Sequence, residues 1–165
     1  MSDRDGETES FAAFVGTRRP ALLRTAFLLT GNVEDAEDLV QVALLKAVPQ
    51  WGRISDRPEP YVRRILAREA VTGWRRRRWR ELSTSEFPEN PTRDPDHARR
   101  LAVQAALMAL PPRQRAVVVL RFYEDLTERE TAVALGISIG TVKSQVRDAL
   151  VSLRTRLPEL VDALM

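Results

Sequence analysis

Apolar side chains recur along most of this chain at spacings of three and four, the rhythm of helices packed on one face, and polar clusters interrupt it at a few places. Residues 1–7 are polar and are expected to fray. From about Glu9, Phe11, Phe14 and Val15 share a face. Pro20 interrupts, and Pro suits a first helical turn, so the pattern predicts a new helix there. Its apolar face is Leu22, Leu23, Ala26, Phe27 and Leu29, and Gly31 ends it. Asn32 is a candidate cap for VEDAEDLVQVALLKAV, with acidic residues in the first turn, where the helix dipole favours them. Ala36, Leu39, Val40, Ala43 and Leu44 point inward, Glu34, Asp35, Asp38 and Gln41 point outward, and Pro49 stops the helix. Residues 50–60 read as a loop punctuated by Gly52, Ser55, Asp56, Pro58 and Pro60. A third long helix is predicted over residues 59–80, with Tyr61, Val62, Ile65, Leu66, Ala70 and Val71 on its apolar side.

Residues 81–97 carry three Pro and no helical period, which predicts a linker. A second unit starts near Ala98. Leu101, Ala105, Leu107, Met108 and Leu110 mark one helix, and Pro111 and Pro112 break it and start another, holding Val117, Val118, Leu120, Arg121 and Phe122. Next comes TERETAVALGISIGTVKSQVRDALVSLRTRL. Thr127 and Glu130 have capping-box spacing. Ala132 and Leu135 face inward, Gly136 suits a turn needing positive φ, Ile137 plugs the corner, and Ser138 caps a long helix. Val142, Val146, Leu150, Leu153 and Leu157 form its apolar stripe, and Thr141, Lys143, Ser144, Arg147 and Asp148 its polar face. This is the spacing of a DNA-binding helix-turn-helix, and it is also that of an ordinary αα-hairpin. The expected fold is all-α: two small helical domains, residues 1–80 and 98–165, joined by a flexible linker, the second with the helix-turn-helix.

Charge narrows the reading. The 165-residue chain has a net charge of +3, unevenly spread. Residues 1–52 hold five basic and eight acidic side chains, residues 53–80 ten and three, residues 81–97 one and five, and residues 98–165 ten and seven. A sharply basic segment between acidic ones suggests one surface for nucleic acid and another for a different partner. The basic segment ends in WRRRRWR, where Arg75, Arg76, Arg77, Arg78 and Arg80 interleave with Trp74 and Trp79. A solvated basic face would account for the arginines alone; indole rings beside guanidinium groups also suit unpaired bases and phosphates. The chain has no Cys and one His, His97, in a polar, Pro-rich stretch, so no disulfide, Cys-type zinc site or metal role is expected. No apolar run approaches a membrane span and no signal peptide opens the chain, so the expected location is cytoplasmic.

Taken in order, these segments resemble a bacterial sigma factor of the extracytoplasmic-function group, over nearly everything from Glu9 to Leu157. DAEDLVQ (residues 35–41) is similar to that family's core-polymerase-binding helix. PYVRRILAREAVTGWRRRRWR (residues 60–80) is similar to its minus-ten recognition and strand-opening helix, with an ending that resembles an actinobacterial branch. LPPRQRAVVVLRFYEDLTERETAVALGISIGTVKSQVRDAL (residues 110–150) is similar to its minus-thirty-five domain. The resemblance implies that Asp35, Asp38, Leu39 and Gln41 bind core RNA polymerase. It implies minus-ten DNA contacts from Arg63, Arg64, Arg68, Trp74, Arg75, Arg76, Arg77 and Arg78, with the loop of residues 54–59 capturing a flipped base. It implies that Thr141, Lys143, Ser144, Arg147 and Asp148 read the major groove, and that the acidic linker threads the polymerase toward its RNA exit path. Promoter DNA and core polymerase are the expected partners, an anti-sigma factor is a candidate third, and nucleoid association follows in holoenzyme. No cofactor is implied.

Three positions depart from the family pattern. Arg68 stands where many relatives carry Asn, Asp148 where many carry a basic residue, and Thr131 where an aliphatic residue is usual. Two other readings compete. A stand-alone helix-turn-helix regulator shares the second unit but leaves DAEDLVQ and the Trp–Arg helix without a role. A metal nuclease could be imagined on Asp35 and Asp38, but acidic residues in a first helical turn are ordinary, and the chain is expected not to be an enzyme. Surface binding of the Arg/Trp helix to anionic lipid is conceivable on the same charges, without insertion.

Overall fold

The structure, a computed structural model, describes residues 2–73 and 95–165. Every regular element among the described residues is helical, in order α1 (Ser2–Thr30), α2 (Val33–Ala47), α3 (Trp51–Ile54), α4 (Pro58–Thr72), α5 (Pro95–Met108), α6 (Pro112–Val118), α7 (Glu128–Leu135), α8 (Ile139–Arg156) and α9 (Pro158–Leu164).

Two expectations about the first helix are corrected. It starts at Ser2 and runs unbroken through Pro20. Pro20 forfeits only its own bond to the carbonyl of Gly16, and both residues are exposed, so water can serve that carbonyl. The N-terminal half is held in place by Trp51, only 3% exposed, which the loop reading of residues 50–60 passed over. Its ring meets Phe11 edge-on at 5.1 Å and Phe14 at 5.3 Å, and its indole N–H donates to Ser10 Oγ at 3.3 Å. That packing also coils residues 51–54 into α3.

The cap at α2 is as expected. Asn32, extended at φ −144°, accepts from the Asp35 backbone N–H at 2.8 Å, and its own amide donates back to the Asp35 carboxylate at 2.8 Å. Ala36, Leu39, Val40, Ala43 and Leu44 are all buried. Helix α4 starts at Pro58, in the first-turn position where its missing N–H costs nothing, and is followed by Gly73. The remainder of the predicted third helix, including Trp74 to Arg80, lies outside the described residues.

The second unit begins at Pro95, so the last three residues assigned to the linker are helical. Leu101 is 52% exposed and Ala105 is also outward, contrary to the predicted face; Leu107 and Leu110 are buried as expected, and Ala106 joins them. Helix α6 widens into a π turn at Val119–Tyr123, where Glu124 donates to the Val119 carbonyl at 3.0 Å. The tail beyond Pro158 forms α9, with Val161 fully buried against the group of Ala149 and Leu153.

The two units share core. Ala116 and Val119 join the cluster formed by α1, α2 and α4, and Ala67 of α4 packs in one group with Leu120 and Ala134. Full burial of Leu120 alone contributes about 1.5–3 kcal/mol.

Candidate nucleic-acid interface

The helix-turn-helix is built by three local devices. Thr127 and Glu130 form the capping box, Thr127 Oγ1 accepting from the Glu130 N–H at 3.1 Å and Glu130 Oε2 accepting from the Thr127 N–H at 2.9 Å. Gly136 adopts φ +66°, ψ +36°, and the chain closes the turn with the Ile137 N–H donating to the Ala132 carbonyl at 3.1 Å. Ser138 Oγ accepts from the Thr141 N–H at 3.0 Å and starts α8. Val142, fully buried, anchors the angle with Val117, Ala132, Leu135, Ile137 and Val146. Thr131 is also fully buried, and its hydroxyl has no hydrogen-bond partner.

Of the five expected groove readers, Lys143, Arg147 and Asp148 are exposed, Lys143 and Arg147 on one face. Thr141 and Ser144 are half-buried and engaged locally: Thr141 Oγ1 lies 2.8 Å from Ser138 Oγ, and Ser144 Oγ donates to the Thr141 carbonyl at 3.0 Å. Lys143 Nζ stands 3.8 Å from Glu128 Oε2, a partner on the preceding helix that sequence reasoning did not single out. Arg147 Nε stands 3.6 Å from Asp148 Oδ1, their side chains 74% and 55% exposed. Ion pairs this open contribute at most about 1 kcal/mol, so both cations can exchange partners.

The acidic face of α2 presents Asp38 and Gln41 outward. Asp35 is half-buried in the Asn32 cap. Leu39 is corrected: at 2% exposure it belongs to the core, because it falls on the same side as Ala36 and Ala43. Beside Asp38 and Gln41 run Val42, Leu45 and Val48, exposed by 37%, 64% and 48%, an apolar rail the sequence reading did not mark.

Helix α4 carries the three described minus-ten arginines, and the second unit engages two of them. Arg63 Nε meets Glu124 Oε2 at 3.0 Å and Arg63 Nη2 lies 3.8 Å from Glu59 Oε1. Arg68 Nε donates to the Ala134 carbonyl at 2.8 Å and Arg68 Nη2 to the Val133 carbonyl at 3.1 Å. Arg64 Nε is buried without a hydrogen-bond partner. A cleft of about 300 Å³ opens between α1, α4 and the π turn. Its charged groups serve one another: Arg18 pairs with Glu59, and Glu124 accepts from both Thr25 and Arg63. Trp74 and Arg75 to Arg78 lie outside the described residues. No group of three or more His or acidic residues among the described residues could hold a metal ion, and no helix among them is long and apolar enough to cross a membrane.

Comparison with known proteins gives two family matches: Sigma-70 region 2 over residues 14–80 and Sigma-70, region 4 over residues 100–153. The chain is 42% identical over 156 residues to the RNA polymerase sigma-E factor of Streptomyces coelicolor, covering 92% of this chain and 88% of the relative. It is 36% identical over 148 residues to the ECF RNA polymerase sigma factor SigL of Mycobacterium tuberculosis, covering 84% of each. Among solved structures, the sigma factor RpoE in complex with the anti-sigma factor NepR from Bartonella quintana superposes with a TM-score of 0.66 at 27% identity, covering 90% of this chain and 97% of that one. CnrH in complex with the cytosolic domain of CnrY, at 24% identity and a TM-score of 0.60 over 99% of each chain, shares the fold.

Proposed function

This chain belongs to the extracytoplasmic-function group of sigma factors in the sigma-70 family, and we propose from that footing how its surfaces divide the labour. It is an alternative sigma factor: it binds core RNA polymerase and directs promoter-specific initiation. Its family acts as an initiation factor on polymerase in the cytoplasm; this chain works by binding alone, and associates with the nucleoid when in holoenzyme.

Residues 1–80 carry polymerase binding, minus-ten recognition and melting, residues 98–165 carry minus-thirty-five recognition, and the acidic segment between them is the linker. The polymerase-facing surface is Asp38 and Gln41 with Asp35 at its edge, and Val42, Leu45 and Val48 extend it with apolar area. Acidic groups steer association with a basic partner, while the apolar rail supplies the burial that holds it. Arg63, Arg64 and Arg68 with the Arg75–Arg78 run neutralise phosphates, which positions DNA without choosing sequence. Trp74 stacks on exposed bases. Lys143 and Arg147 read base edges, Arg147 as a fork on guanine, with Thr141 and Ser144 shaping the start of the reading helix. Asp148 orients Arg147, supported by their 3.6 Å separation.

The observation that carries this reading is the pairing of an exposed acidic and apolar face on α2 with an exposed Lys143–Arg147 face on α8 in one chain. Reconstitution with core polymerase and genome-wide mapping of transcription starts tests it. Starts sharing paired upstream elements, absent with core alone, are expected; failure to bind core enzyme overturns it and leaves the stand-alone regulator. The complexes formed by the RpoE of Bartonella quintana and by CnrH support an anti-sigma factor as a third partner.

A further inference from the structure

We propose that in the free protein the helix-turn-helix unit is a built-in competitor for the strand-opening helix, holding Arg63 and Arg68 of α4 in contacts that promoter DNA must displace. The proposal rests on the reading of α4 as a DNA-facing helix.

The junction is made of specific polar contacts over apolar ones. The last carbonyls of a helix lack partners within it. Here each unit caps a helix end of the other. Gln104 Nε2 donates to the Phe27 carbonyl at 3.0 Å and Arg115 Nη1 to the Leu29 carbonyl at 2.8 Å, both at the end of α1. Arg68 donates twice to the end of α7, at 2.8 and 3.1 Å. A cation at a helix C-terminus also meets the negative end of its dipole. Gly136 gives α7 its left-handed exit at φ +66°, and Arg68 Nη2 lies against it, 3.4 Å from where a Cβ would stand.

Arg63 is held by charge. Its 3.0 Å contact with Glu124 joins side chains only 19% and 16% exposed, and the Thr25 hydroxyl donates to the same carboxylate. Glu124 thus offers Arg63 the acceptor chemistry that an anionic phosphate oxygen would offer it. Underneath, Ala67, Leu120 and Ala134 close the apolar contact. Lys143 and Arg147 stay exposed. The closed chain therefore leaves its major-groove reader open while Arg63 and Arg68 of α4 are occupied. A guanidinium cannot serve both partners at once, so DNA engagement by α4 and closure of the units oppose each other, and by linkage each weakens the other equally.

The chain has no Cys, so Ala13→Cys on α1 and Ser152→Cys on α8, both exposed, can carry spin labels in the full-length protein. Glu124→Lys places a cation against Arg63; Glu159→Lys makes the same charge change on the exposed side of α9. Glu124→Lys should lengthen the label distance. It should bind a short fluorescein-labelled single-stranded oligonucleotide of mixed sequence about tenfold tighter than Glu159→Lys does, the scale of one partly buried charge-assisted hydrogen bond. If Glu124→Lys loses helical content by circular dichroism, Glu124→Gln repeats the test and a shift in the same direction is required. Adding core polymerase to the unaltered protein should lengthen the distance as well. An unchanged distance with oligonucleotide binding equal to that of Glu159→Lys overturns the proposal, as does a short distance that persists in holoenzyme. A lengthened distance without tighter binding refutes the DNA-facing reading of α4 and takes the competition with it.

Discussion

Arg115 offers the sharpest test of what holds the second unit together. The residue is 5% exposed and its guanidinium donates to four carbonyls: Leu107 at 2.9 Å, Leu29 at 2.8 Å, Met108 at 3.1 Å and Leu110 at 3.0 Å. Three of these lie where α5 ends and the chain turns into α6, so one planar fork organises the turn before Pro111. Arg115→Met keeps the length and apolar stem but removes every donor. The Leu107 carbonyl keeps a bond from the Leu110 N–H at 3.1 Å, while the other three lose the partner described here. Each buried acceptor left without a donor costs about 1–3 kcal/mol. Relief of the desolvated charge offsets part of that, which leaves a net loss of about 3–5 kcal/mol for the three orphaned carbonyls. For a chain of this size each kcal/mol lowers Tm by about 2–4 °C, so a fall of about 6–20 °C is expected. Thermal unfolding followed by far-ultraviolet circular dichroism measures it, with the exposed Arg113→Met as a control expected within about 0.5 kcal/mol of the parent. An Arg115→Met midpoint within about 2 °C of the parent would show that the carbonyls find other donors and that the fork is not structural.

Thr131→Val replaces a buried, unpartnered hydroxyl by a methyl of similar size and should raise stability by about 1–2 kcal/mol in urea denaturation; a loss of stability would mean the hydroxyl has a partner. Arg147→Ala should relax preference at one base pair of the upstream element and cost about 1–3 kcal/mol in duplex binding, read by competition titrations; uniform binding across sites before and after the change removes Arg147 as a reader. Asp38→Arg should leave helical content and DNA binding by the second unit in place and weaken capture of core polymerase; undiminished capture takes Asp38 out of that surface.

The sequence made the helix ends and their caps legible because those signals are local. Asn32, Thr127, Gly136 and Ser138 each act within three or four residues, and the structure places all four as expected. What escaped depends on partners far along the chain. Pro20 looks like a boundary until Trp51 is seen bracing the helix before it. Leu101 fits a helical period on either face, and the partners of α5 on α1 and α8 decide which faces in. Nothing local to Arg68 could have announced its bonds to residues 133 and 134. The basic density of residues 53–80 was visible as charge; the acid that meets it, Glu124, was not, because it sits beyond the linker.

The π turn at Val119–Tyr123 sets an angular phase for everything after it. A regular helix advances about 100° per residue, and a π turn accommodates one residue more than the α pattern would. Deleting a single residue there would restore the ordinary winding and swing the following segment by about 100°. Glu124 would keep its chemistry and lose its aim, and Leu126, whose N–H donates to the Leu120 carbonyl at 3.0 Å, would be pulled from its seat before Thr127. This stretch can therefore absorb changes of side chain far better than changes of length. Among variants of this chain, insertions and deletions should be excluded from residues 119–126 even where substitutions accumulate.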